Sequence, residues 1–148
     1  MFKLTIKSLN DLTAQIIERF DHKLWLVRLL MAAMFLESAI DKILHWTRYV
    51  SEVNAHHIPF PEIALFMAAS VELAGSAALL TGFALAPALL ALAAYTLIIN
   101  IFYFDFWNLP LPDAIMARKE FLKNLAVAGG LLAYMIDALR ANITKTKG

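Results

Sequence analysis

The sequence specifies an all-α integral membrane protein, a four-helix bundle preceded by an amphipathic surface helix. Composition is the first observation behind that reading. Hydrophobic residues make up 61% of the 148 and charged residues 17%, against about 45–50% and about 25% in soluble domains. The second is size: a soluble chain of this length buries only about 68–70% of its unfolded surface, so this much apolar side chain, at a mean hydropathy of +0.66, needs a bilayer. The third is that apolar runs of membrane length recur, a bilayer core of about 30 Å taking about 20 residues per helix.

Residues 1–23 come first. Leu9, Leu12, Ile16, Ile17 and Phe20 share one broad helical face among Lys3, Lys7, Arg19 and Lys23, the pattern of a helix lying on the membrane surface. The lead has neither the apolar run nor the small-residue cleavage site of a signal peptide. The membrane domain is expected over residues 24–140, with a polar tail over 141–148. Its first span, Leu24–Leu44, holds Arg28, Glu37, Asp41 and Lys42. Each charge costs about 2.5–3.5 kcal/mol at a helix centre, so the span requires them to face the bundle interior or snorkel from the ends. Ile63–Thr81 carries only Glu72, Phe83–Phe104 carries no charge, and Phe121–Leu139 carries Lys123 and Asp137. Thr81–Gly82 is a short break, which makes the second and third spans a tight hairpin, with Pro87 in the first turn of the third. The segments His45–Glu62 and Asp105–Lys119, with their Trp, Tyr and Pro residues, read as interfacial connections.

Lys3, Lys7, Arg19, Lys23, Arg140, Lys145 and Lys147 flank one side, against Lys42, Arg48, Arg118 and Lys119 on the other. This bias predicts both termini in the cytoplasm. With that orientation Glu72 falls near the midplane. Glu37, Asp41, Lys42, Asn100, Lys123 and Asn124 populate the outer half of the bundle, and Arg28 stands apart in the inner third. Intramembrane carboxylates mark functional sites by default, although interhelical polar pairs also serve as plain packing. Glu72, among Ala68, Ala69, Gly75 and Ser76, pairs with a cation such as Lys123 or Lys42, or else holds a proton. Tyr95, a turn below Asn100, and Trp107, in the aromatic run Phe102–Trp107, offer a flat wall for a quinone ring or serve as an interfacial belt.

Metal and haem sites find little support. Glu37, Asp41 and His45 stack on one helix face at i, i+4, i+8, but one helix rarely supplies enough ligands. His56–His57 sit in a loop, and the four histidines all lie in loops or at span ends rather than inside the bundle, where haem would need them. The absence of cysteine excludes disulfides, thiol relays and iron–sulfur clusters. There is no nucleophile–base pair and no cofactor motif, which disfavours an independent enzyme, and the composition excludes a nucleic-acid partner.

Several stretches are similar to one family. Leu-Val-Arg28-Leu-Leu opens the first span and Ser38-Ala39-Ile40-Asp41-Lys42-Ile43-Leu44 closes it. The second carries Glu72-x-x-Gly75 and ends at Gly82. The third ends in Phe104-Asp105-Phe106-Trp107, and the fourth starts Phe121-Leu122-Lys123-Asn124-Leu125-Ala126 with Gly129-Gly130 following. From Trp25 to Ala138 the chain resembles the DoxX family of small membrane proteins. Where that family often has Gly this chain has Ala39, and where it often has His before the Asp-Phe-Trp step this chain has Phe104. The resemblance implies a four-helix bundle, and members are linked to quinone-coupled oxidation and to quinone and catechol stress resistance. The expectation is therefore an inner-membrane, redox-associated subunit that binds a quinone or similar lipophilic molecule in a polar pocket and has no cofactor of its own. The pocket would use Glu72, Lys123 and Asn124 with Glu37, Asp41, Lys42, Arg28, Asn100, Tyr95 and Trp107. The alternatives are an accessory or assembly subunit docking a larger membrane partner or a second copy and, ranked last, a proton-coupled carrier, because no internal repeat is visible.

Overall fold

The computed structural model describes residues 24–146, so the expected surface helix over residues 1–23 lies outside the described residues. The order is α1 (Leu24–Leu44), α2 (Trp46–Ala55), α3 (Pro61–Thr81), α4 (Leu85–Tyr103), a 3₁₀ turn (Phe106–Asn108) and α5 (Asp113–Thr146). No strand occurs among the described residues. Three helices, α3, α4 and α5, are long and apolar enough to cross a membrane. α1 matches α3 in length but its four charges keep it below that standard. What carries α1 along the membrane helices is packing.

α1 and α3 run antiparallel over most of their lengths. Arg28 lies beside Gly82 just past the end of α3, Ser76 Oγ donates to the Ala32 carbonyl at 3.3 Å, and Ser38 meets Glu72. The ascending numbers of α1 face the descending numbers of α3. α4 and α5 pair the same way: Leu131 packs with Leu89 and Leu92, while Asn124 reaches Asn100. Gly75 joins the two pairs, since a Cβ there would stand 2.6 Å from the Leu92 side chain. Its hydrogen lets α4 seat against α3.

The α3–α4 turn follows from Gly82, whose φ of +76° lies in the left-handed region that glycine enters without steric cost. Its N–H closes the helix on the Ala78 carbonyl. Above this turn sits the main apolar core, where Leu79, Leu89, Leu92 and Leu131 are fully buried with Ala32, Phe35 and Ala93. The opposite end is less tightly filled, and there α2 lies across the helix ends. α5 begins at Asp113, eight residues before the span read from sequence, and runs on to Thr146. A run of polar residues ends a hydropathy window but not a helix.

Candidate functional site

Glu72 lies mid-helix on α3 and is only 3% exposed. Its charge is met from α1: Lys42 Nζ sits 2.9 Å from Oε1 and 3.0 Å from Oε2. Lys42 is one helical turn past Ser38, so the two side chains share a face. Ser38 Oγ accepts from Lys42 and donates to Glu72 Oε1 at 3.0 Å. From α4, the Tyr95 hydroxyl donates to the same Oε1 at 2.9 Å. Three helices thus converge on one carboxylate. A buried ion pair repays its desolvation only when the remaining lone pairs are also satisfied, and Ser38 and Tyr95 supply those bonds. Oε1 is saturated, whereas Oε2 takes only the Lys42 bond among the described residues and keeps capacity to accept another.

This cluster forms part of the wall of a cavity of about 680 Å³. α1 contributes Phe35, Ser38 and Lys42; α3 contributes Leu65, Ala68 and Glu72; α4 contributes Tyr95, Ile99 and Tyr103; α5 contributes Lys123 and Asn124. Mostly apolar walls with a few convergent polar groups are the usual make-up of a small-molecule site. α2 roofs it with Tyr49, Glu52 and Val53. The roof is fastened at several points. The Tyr49 hydroxyl donates to Asp41 Oδ2, His45 Nδ1 lies 2.8 Å from Asp41 Oδ1, and the His56 ring packs 4.2 Å from that of Tyr103. Lys42 Nζ stands 5.6 Å from the Tyr49 ring centre, a cation–π distance. The hydrogen bond to Asp41, with burial second, pushes the Tyr49 phenol up to about 12.

The structure redistributes the candidates read from sequence. Glu72, Lys42, Tyr95, Lys123 and Asn124 all line the cavity. The partner of Glu72 is Lys42 and not Lys123, which is 62% exposed and pairs with Glu120. Lys123 is one turn along from Glu120, and that local partner outcompetes a carboxylate across the cavity. Asn100 is buried behind the wall, donating to the Phe121 carbonyl at 3.0 Å and accepting from Asn124 at 3.3 Å, so it holds α4 to α5. Asp41 fastens the roof. Glu37 is exposed on α1 and does not line the cavity. Trp107 packs edge-on against Phe106 and Phe121, anchoring the loop to α5 instead of facing a ligand. Arg28 lies at the other end of the bundle, where its Nε donates to the Tyr134 hydroxyl at 2.7 Å. Ser38 joins the site without being singled out by the sequence, although its spacing of four from Lys42 is the signal that could have found it. The roof contacts of Tyr49 carry no comparable signal, since they depend on how α2 folds back.

A family model described as DoxX matches residues 24–105. The chain belongs to the DoxX family. The matched stretch contains Ser38, Lys42, Tyr49, Glu72 and Tyr95, hence the whole polar cluster and its roof. It stops short of the Lys123-Asn124 segment. Neither the curated proteins nor the solved structures contain a match. As a DoxX family membrane protein with long apolar helices, it is in contact with the lipid bilayer.

Proposed function

We propose that this DoxX protein binds a quinone, or a similar flat lipophilic molecule bearing ring oxygens, as a redox-associated subunit of a bacterial-type inner membrane. The observation that carries the reading is the placement of the Lys42–Glu72–Tyr95 cluster in the wall of a largely apolar cavity. A quinone carbonyl needs a donor; the Tyr95 proton and the Lys42 N–H bonds are engaged within the cluster, so the carbonyl would take one of them in exchange for a bond to Oε1, which accepts three. The reduced form carries hydroxyls that need an acceptor, and Glu72 Oε2 has capacity for one. A site that serves both forms suits a molecule cycling between them. Aromatic and aliphatic walls from Phe35, Ile99 and Tyr103 take the ring. The protein brings no cofactor of its own in this reading, and electrons arrive from and leave to a membrane partner. Seven flanking Lys and Arg residues against four support cytoplasmic termini, with the cavity then toward the outer leaflet.

Purification in mild detergent followed by solvent extraction tests the reading. Quinone that co-purifies, seen by its oxidised-minus-reduced absorbance, and saturable binding of an added decyl-benzoquinone are the expected results. A protein that carries none and binds none is not a quinone protein.

A further inference from the structure

The cavity does not end at the polar cluster. Met67 on α3 and Ile98 on α4 line it while being 56% and 55% exposed on the outside of the bundle. The wall is therefore open sideways between α3 and α4, on two of the helices that face lipid. A second hollow of about 490 Å³ continues along the same pair of helices toward the Gly82 turn. The two hollows share Val71 and Ala91 in their walls, so they adjoin along the α3–α4 seam. The hairpin geometry explains it: α3 and α4 are joined tightly at Gly82, and Gly75 lets Leu92 seat deeply between them. On the lipid side the facing positions are Ala74, Ala77, Ala84 and Ala88, too small to fill the groove.

We infer that the ligand is a tailed amphiphile taken up laterally from the bilayer, its ring at the Lys42–Glu72–Tyr95 cluster and its apolar tail in the alanine-lined groove between α3 and α4. This rests on the quinone reading and narrows it to molecules with a hydrocarbon tail. The groove runs from Val71 to Thr81, ten residues of helix or about 15 Å, the reach of a decyl chain. Its occupant is apolar because alanines line it with Val71, Gly75, Phe83 and Pro87, and Ser70 and Thr81 return their hydroxyls to their own helix at Phe66 and Ala77. It adjoins the cavity at Val71 and Ala91, within reach of a tail on the molecule whose ring sits at the cluster.

The test compares two probes, a decyl-tailed benzoquinone and its methyl counterpart, each corrected for partition into empty micelles. The wild type should bind the tailed probe about tenfold tighter or better. Ala74→Leu with Ala77→Leu, both at exposed positions, should lower the tailed probe to the level of the methyl one and leave the methyl probe unchanged. Ala88→Leu should do the same from the α4 wall. Elution volume and melting temperature check that each variant folds as the wild type does. Equal affinity for both probes in the wild type, or a tail preference that survives the leucines, overturns the inference while the quinone reading stands. Binding of neither probe overturns the quinone reading and this one with it. Leucine variants that change the oligomeric state yet keep the tail preference would give the groove to a neighbouring copy.

Discussion

The two ends of this bundle hold similar residues to opposite effect. At the α2 end a lysine from α1 meets a carboxylate and a tyrosine inside a cavity of about 680 Å³. At the Gly82 end an arginine from the same helix meets the Tyr134 hydroxyl over a hairpin glycine, next to a core whose leucines are fully buried. Each is a cation and a tyrosine on membrane helices. The difference lies in what surrounds them: close-packed leucine leaves the arginine a structural tie, and an open space gives the lysine end something to recognise.

The largest effect is expected at Glu72. Glu72→Gln strands Lys42, 13% exposed, with no counter-charge, and should cost about 3–5 kcal/mol, read as a fall in melting temperature in detergent. Lys42→Met combined with Glu72→Met should recover part of the loss, since the ion pair is replaced by apolar atoms of similar volume while the Ser38 and Tyr95 hydroxyls lose their acceptor. Failure of the double variant to recover would mean that the cluster is a stability element like its counterpart.

At the hairpin end the effects should be smaller and should not reach the ring at the polar cluster. Gly82→Ala forces a side chain into the left-handed region, at about 1–2 kcal/mol, and places a Cβ 2.7 Å from Arg28 Nη1, which the flexible guanidinium can yield to. Tyr134→Phe removes one hydrogen bond to a charged donor, about 1.5–3 kcal/mol at most and less where Arg28 can turn to water. Binding of the methyl benzoquinone should be unchanged in both. A loss of binding in either would show that the two ends are coupled.

How much of this was legible in the sequence depends on the type of pairing. Helices α3, α4 and α5 followed from apolar length, and the α3–α4 turn from Gly82. Glu72 stood out because a carboxylate in an apolar run has no local partner. Its counter-charge did not, because Lys42 and Lys123 both lie at plausible depth and only the packing of α1 on α3 against that of α4 on α5 chooses between them. Glu37 and Asp41 share the depth of the site but face elsewhere on α1, and depth along a helix says nothing about azimuth. Trp107 was drawn off by neighbouring rings, a loop contact that spacing cannot show.

The smallest expected effect concerns the roof. The raised Tyr49 phenol binds its proton more tightly folded than unfolded, so its contribution is complete below its ordinary value near 10 and is lost as pH rises toward about 12. Amide exchange in α2 should be flat from neutral pH to about pH 9 once corrected for intrinsic rates, and should quicken above pH 10. Tyr49→Phe should abolish that dependence.

The central claim is that the polar cluster, and not the fold around it, makes the site. Equilibrium binding of decyl-benzoquinone to the wild type and to the Lys42→Met, Glu72→Met double variant measures this directly, with melting temperatures recorded on the same samples. The expected double variant stays folded, melts above the Glu72→Gln variant, and loses at least about tenfold in affinity, the equivalent of about 1.4 kcal/mol of hydrogen bonding to the ring oxygens. Wild-type affinity in that folded variant would contradict it.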